Sequence, residues 1–161
     1  MNCGLFKENV ESVAGHCIVT TDVTDSLRQI IADLNLQRVA VSDKVDLEFG
    51  IAANASDIFG FDAGITTAQA AIAETGTLVL DSAQERHRLV SLVPPVHIAI
   101  VRASTICETL SEALALLRKD KEISPAVTFI TGPSRTADIE LTLTIGVHGP
   151  QELYVIIDGS N

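Results

Sequence analysis

Val96-His97-Ile98-Ala99-Ile100-Val101 is an apolar run broken by a single histidine. A run of this kind predicts a strand buried on both faces, as parallel sheets require. On its N-terminal side, Pro94 and Pro95 end a short helical turn expected over residues 86–92. On its C-terminal side, Thr105 and Glu108 match a capping box. Ile106, Leu110, Ala113, Leu114 and Leu117 then recur on one face of a predicted helix, with Arg118 and Lys119 at its C-terminal end. A second apolar strand, Ala126-Val127-Thr128-Phe129-Ile130, follows. Beyond it the chain is expected to form a loop, a helix near Thr136–Ile145 and a last strand over Leu153–Ile157.

The N-terminal half repeats the alternation. Residues 5–13 predict a short helix with Phe6, Val10 and Val13 on one side. His16–Thr21 reads as a strand. Thr24 or Asp25 can cap a helix carrying Leu27, Ile30, Ile31 and Leu34 at helical spacing, and Asn35 is its expected stop. Arg38–Ser42 completes a β-α-β unit, which favours a parallel sheet. Residues 43–65 are less periodic, with apolar pieces at Ile51–Ala53 and Asp57–Phe59. Thr66 or Thr67 is expected to cap a small-residue helix over Ala68–Ala73, and Gly76–Leu80 to form the next strand. The expected fold class is α/β, a three-layer α/β/α sandwich with a mostly parallel sheet.

The chain has 161 residues, 47% of them hydrophobic, enough for one domain with a sizeable core. No stretch reaches the roughly 18–20 continuous apolar residues of a membrane helix. The start, Met1-Asn2-Cys3-Gly4-Leu5-Phe6-Lys7-Glu8, lacks the pattern of a signal peptide, so a cytoplasmic location is expected. The net charge of −10, from 21 acidic and 11 basic residues, disfavours nucleic-acid binding. Cys3, Cys17 and Cys107 form no CxxC pair, and His16, His87, His97 and His148 show no ligand spacing. No metal or other cofactor is expected on these residues. Cys107 is expected in the first turn of a helix.

Three constellations could carry chemistry. In Ala73-Glu74-Thr75-Gly76-Thr77, where a helix is expected to run into a strand, Gly76 permits a positive φ. Thr75 and Thr77 offer hydroxyls there, and Glu74 is a candidate general base or nucleophile. The alternative is a helix-ending turn with a solvated glutamate. In Thr131-Gly132-Pro133-Ser134-Arg135-Thr136-Ala137-Asp138-Ile139-Glu140, backbone N–H groups, hydroxyls and Arg135 can receive an anion. Arg135 could clamp a carboxylate or phosphate bidentately. Asp138 is a candidate catalytic carboxylate or an ordinary helix-start residue. In Gly146-Val147-His148-Gly149-Pro150, His148 is a candidate acid–base group or a loop histidine without a role. His97 could reach the sheet edge or bond locally. Arg86 and Arg88 flank His87 on what reads as a solvated helix face. The catalytic candidates are therefore Glu74, Asp138 and His148, and the ligand-binding candidates Thr75, Gly76, Thr77, Gly132, Pro133, Ser134 and Arg135.

These segments, together with Gly64-Ile65-Thr66, Ile72–Leu80 and Ser91-Leu92-Val93-Pro94 with His97, resemble the LUD-domain family (formerly DUF162). The likeness is greatest to its lactate-utilisation protein C branch and covers roughly residues 10–158. The resemblance implies a single LUD-type domain over residues 1–161, short of an N-terminal helical region. It implies a fold like the NagB/RpiA/CoA-transferase group. It also implies an accessory or substrate-handling role in oxidising L-lactate to pyruvate beside iron–sulfur partner proteins. The cysteines match no cluster motif of the related B branch, so electron carriage is expected of the partners. The alternative is a self-sufficient enzyme acting on a phosphorylated sugar or an acyl-CoA. Expected ligands are thus a small carboxylate or a phosphorylated compound, with neither nucleic acid nor membrane as partner.

Overall fold

The computed structural model describes residues 2–42, 45, 48, 50–52, 57–82, 88–118, 125–137, 143–145 and 149–160. The first half runs α1 (Cys3–Ser12), β1 (His16–Thr20), α2 (Val23–Asp33), β2 (Val39–Val41), β3 (Ile51–Ala52), β4 (Ala63–Ala68), β5 (Ala70–Ile72) and β6 (Thr77–Asp81). The second half runs α3 (Leu89–Leu92), β7 (Val96–Arg102), β8 (Ile106–Cys107), α4 (Leu110–Arg118), β9 (Val127–Ile130), β10 (Arg135–Ala137), β11 (Leu143–Ile145) and β12 (Glu152–Asp158).

The central sheet has six strands in the order β1-β12-β7-β4-β2-β3, every pair parallel. The expected strand over Val96–Val101 is β7, near its middle. A second sheet, β8-β5-β6-β9, is mixed, and β10 pairs with β11 in a separate antiparallel hairpin. The fold is α/β with a mostly parallel central sheet and helices on both of its faces.

Side-chain alternation sorts the core. Leu27 and Ile30 of α2 pack on Val39, Val41, Ala63, Ile65, Ile98 and Ile156, one face of the central sheet. On the other face, Phe6 and Val10 of α1 meet Ala99, Val101, Leu153, Val155 and Ile157, together with Leu78 and Leu80 of the second sheet. Burying a side chain such as Phe6 contributes roughly 1.5–3 kcal/mol. The far face of the second sheet, with Ala70, Ile72 and Val79, is covered by Ala113 and Leu117 of α4.

Four expectations of local structure are corrected. Ala68–Ala73 is not a helix: β4 and β5 meet there at Gln69, where the chain crosses from one sheet to the other. Ala70, Ala71 and Ala73 are fully buried, so their small size serves close sheet packing, which outweighs alanine's helix preference. Gln69 holds the crossing, with its N–H donating to Val79 O (3.0 Å) and its Oε1 accepting from Asp81 N (2.7 Å).

The helix expected near Thr136–Ile145 is replaced by β10 and β11, with Arg135 opposite Ile145. The alternating, partly β-branched Leu141-Thr142-Leu143-Thr144-Ile145 has the strand period, not the helical one. The capping box at Thr105 and Glu108 is displaced. Ile106 and Cys107 form β8, and α4 starts with Glu112 N donating to Thr109 Oγ1 (3.4 Å) while Glu112 Oε2 accepts from Glu108 N (2.8 Å). The cap of α2 is Asp22, whose Oδ1 accepts from Asp25 N at 2.9 Å, and Asn35 ends the segment with a φ of 51°.

Candidate ligand site at the β5–β6 turn and the loop after β9

Glu74, Thr75 and Gly76 lie in the tight turn of the β5–β6 hairpin, where Ile72 opposes Thr77. The helix-to-strand turn expected here is a strand-to-strand turn. Gly76 has a φ of 65°, and a Cβ on it would stand 2.6 Å from Val10 N and 2.7 Å from Asn9 C. Asn9 Nδ2 donates to Ala73 O at 2.7 Å, so α1 clamps the turn. Gly132, with a φ of 76°, presses on the same helix end, its would-be Cβ 2.8 Å from Val13 O.

A chain of hydroxyls joins the two segments. Thr75 Oγ1 and Thr77 Oγ1 share a hydrogen bond of 2.7 Å, and Thr77 Oγ1 shares another of 2.7 Å with Thr131 Oγ1. Thr77 is buried, whereas Thr75 and Thr131 are exposed. Each hydroxyl can donate once and accept from others, so the chain can orient as a unit.

Glu74 is exposed and already engaged: its Oε1 accepts from Leu110 N (3.3 Å) at the start of α4, and its N–H donates to Glu108 O (3.2 Å). A carboxylate at a helix N-terminus is stabilised there by the exposed N–H groups. Pro133 and Ser134 are half-buried, and Ser134 N donates to Pro150 O at 2.8 Å, which brings the loop to the end of the third constellation. Arg135 is exposed on β10, and its side chain makes no hydrogen bond or ion pair to another described residue. The structure thus unites Thr75, Gly76 and Thr77 with Thr131 and Gly132, and Ser134 with Gly149 and Pro150. Among the described residues, no hydrogen bond or ion pair joins Glu74 and Arg135. Asp138 and His148 lie outside the described residues, as do Arg86, His87, Lys119 and Glu140.

The polar centre absent from the catalytic and ligand-binding candidates is His97. It reaches no sheet edge and bonds to nothing local: it is fully buried in the central sheet, and its Nε2 lies 2.9 Å from Thr66 Oγ1 on the neighbouring strand. Burial pushes its pKa down to about 4, and its Nδ1 has no hydrogen-bond partner among the described residues. The signal for it was a lone histidine inside an otherwise apolar strand.

Burial favours the protonated thiol at Cys17 and Cys107. Burial pushes the Cys17 thiol up to about 11, and burial, then nearby Glu112, raises that of Cys107, which lies in β8 and not in a helix. Among the described residues no group of His, Cys, Asp and Glu is placed to hold a metal ion. No helix among them is long and apolar enough to cross a membrane.

The LUD domain model matches residues 11–157, a span that contains both the β5–β6 turn and the loop after β9. The chain belongs to the LUD domain family. Among its relatives, Lactate utilization protein C of Macrococcus caseolyticus (strain JCSC5402) is 34% identical over 160 residues, covering 86% of this chain and 69% of that protein. Lactate utilization protein C of Bacillus licheniformis is 40% identical over 100 residues, 59% of this chain and 42% of that protein. The chain therefore spans 69% and 42% of the lengths of these two relatives. A DUF162 family protein from Deinococcus radiodurans, known from its crystal structure, has the same fold, with a TM-score of 0.74 at 24% identity over 98% of this LUD domain chain and 96% of its own.

The clamp of α1 on the turn predicts a stability change. Gly76→Ala is expected to cost about 2 kcal/mol, from a strained positive φ and a displaced α1 backbone. Gly4→Ala, whose Cβ would meet nothing within 4 Å inside α1, is expected to gain about 0.5–1 kcal/mol. Urea unfolding of the two variants checks both signs.

Proposed function

We propose that this LUD domain protein serves the oxidation of L-lactate to pyruvate, holding the acid's carboxylate while iron–sulfur proteins take the electrons. The relatives called Lactate utilization protein C support the lactate reading. The observation that carries the site is the Thr75–Thr77–Thr131 hydroxyl chain, which ties the turn to the Gly132–Arg135 loop and leaves Arg135 exposed at its end. A guanidinium matches a carboxylate in shape and charge, and the backbone N–H of Gly132 and the Ser134 hydroxyl can add donors. Thr75, Gly76, Thr77, Gly132, Pro133 and Ser134 shape this cradle. Glu74, Asp138 and His148 are the groups proposed for proton transfer, because oxidation at the carbinol carbon breaks both the O–H and the C2–H bond and releases two protons with the electron pair.

The electron pair needs an acceptor, and the protein's three cysteines match no cluster-binding motif, so this reading assigns that role to separate iron–sulfur proteins. Calorimetric titration with L-lactate and with pyruvate tests the proposal. Saturable binding is expected, and Arg135→Ala is expected to weaken it at least ~10-fold without loss of stability, since charge-assisted hydrogen bonds contribute about 1.5–3 kcal/mol. Absence of binding by the intact protein, alone and with its iron–sulfur partners present, would overturn it. So would unchanged affinity in the variant.

A further inference from the structure

Ser42, Thr66 and His97 are each at most 1% exposed and lie together on one face of the central sheet. Val41 pairs with Ile65, which sets the next residues, Ser42 and Thr66, side by side, and Gly64 pairs with His97 across β4 and β7. The Thr66–His97 bond of 2.9 Å closes the row. Over it lies α3. A Cβ on Gly64 would come within 1.9 Å of Val90 O, so this carbonyl rests on the sheet at the position in register with His97. The residue four beyond Val90 is Pro94, which has no N–H, so the helix supplies no donor to that carbonyl. A histidine whose buried Nδ1 has no partner among the described residues and a carbonyl without its helical donor thus both neighbour Gly64.

A buried polar atom left unpaired costs about 1–3 kcal/mol, and core positions of this kind are ordinarily filled by valine or leucine. We propose that His97 Nδ1, oriented by the Thr66 hydroxyl, is a binding position for a small uncharged oxygen held between α3 and the central sheet. The chemistry of the row selects the occupant. Its side-chain groups are a hydroxyl pair and an imidazole that stays neutral well below physiological pH. Burial is what depresses that imidazole, with no charged group contributing. An anion placed there without a counter-charge would be strongly disfavoured. A water molecule fits this description. The C2 hydroxyl or keto oxygen of a 2-hydroxy or 2-oxo acid fits it only with the acid's carboxylate held outside the row by a cationic group; this second source rests on the lactate reading.

Long-range nitrogen–proton NMR spectra of the full chain with labelled histidine distinguish the sources. Substitutions His16→Gln, His87→Gln and His148→Gln assign the His97 signals by elimination, so that His97 itself need not be replaced. For a bound water, the Nδ1 signal is expected to have the shift of a hydrogen-bonded nitrogen, with a water cross-peak, before any acid is added. For the acid, it is expected to move saturably with L-lactate or pyruvate. An Nδ1 shift typical of an unbonded nitrogen, without a water cross-peak and unmoved at saturating acid, overturns the site. If calorimetry shows acid binding in that case, the lactate reading stands and this site falls. If a water cross-peak is seen without acid binding, the site stands and the lactate reading falls.

Discussion

Gly64→Ala is expected to destabilise the protein by about 3 kcal/mol or more, a fall of roughly 6–12 °C in Tm. The cause is steric and local. The added methyl carbon would stand 1.9 Å from Val90 O and 2.9 Å from Val90 C, both backbone atoms that no rotamer change can move. Relief requires lifting α3 off the central sheet, which exposes Val90 and loosens Ile58 and Phe61 packed with it. Gly4→Ala, made in open space, is the natural comparison, and thermal unfolding by circular dichroism reads both. A Gly64→Ala protein with unchanged Tm would show that α3 does not sit on the sheet as described.

Acidification is expected to cost a further stabilising contribution of about 3 kcal/mol, traceable to His97. Its folded pKa, about 4, lies below the ordinary 6.5 because burial penalises the imidazolium. The unfolded chain therefore binds the proton more readily than the folded one. The contribution is fully present above pH 6.5, declines as pH falls, and is gone below about 4; the gap between these values converts to roughly 3 kcal/mol. Urea unfolding at pH 7, 5 and below 4, for the parent and for His97→Gln, isolates it from the carboxylates that also titrate in acid. The parent should lose about 3 kcal/mol more than the variant across that range. Parallel pH profiles for the two proteins would contradict the burial of a neutral His97.

The central sheet was legible because its strands are apolar on both faces, and such runs have few alternatives. Val96–Val101, Leu153–Ile157 and the first β-α-β unit all read directly. The misreadings share a cause. Ala68–Ala73 has strong helix preference, but buried alanines between two sheets serve packing, which local propensity does not report. Thr136–Ile145 reads as a helix at its polar start, although its later residues alternate as a strand. At the site, the glycines and hydroxyls of the turn and loop were visible, and so was the need for a positive φ at Gly76. Their joining through Thr77 and Thr131, 54 residues apart, was not, because a side-chain bond of that reach follows from tertiary packing. The seating of both segments on α1 was hidden for the same reason.

The proposed site would have to recognise a small anion on a protein of net charge −10. A strongly acidic surface repels a carboxylate at long range, so affinity depends on local donors. In the proposed reading Arg135 and the Gly132 N–H supply them, and the hydroxyl chain behind holds the loop's first residue in place.

The most direct test is a crystal structure of the protein grown with saturating pyruvate. The proposed reading predicts the carboxylate within hydrogen-bonding distance of Arg135 and the loop at Gly132–Ser134. Pyruvate bound away from that loop, or no bound pyruvate at a saturating concentration, would contradict it.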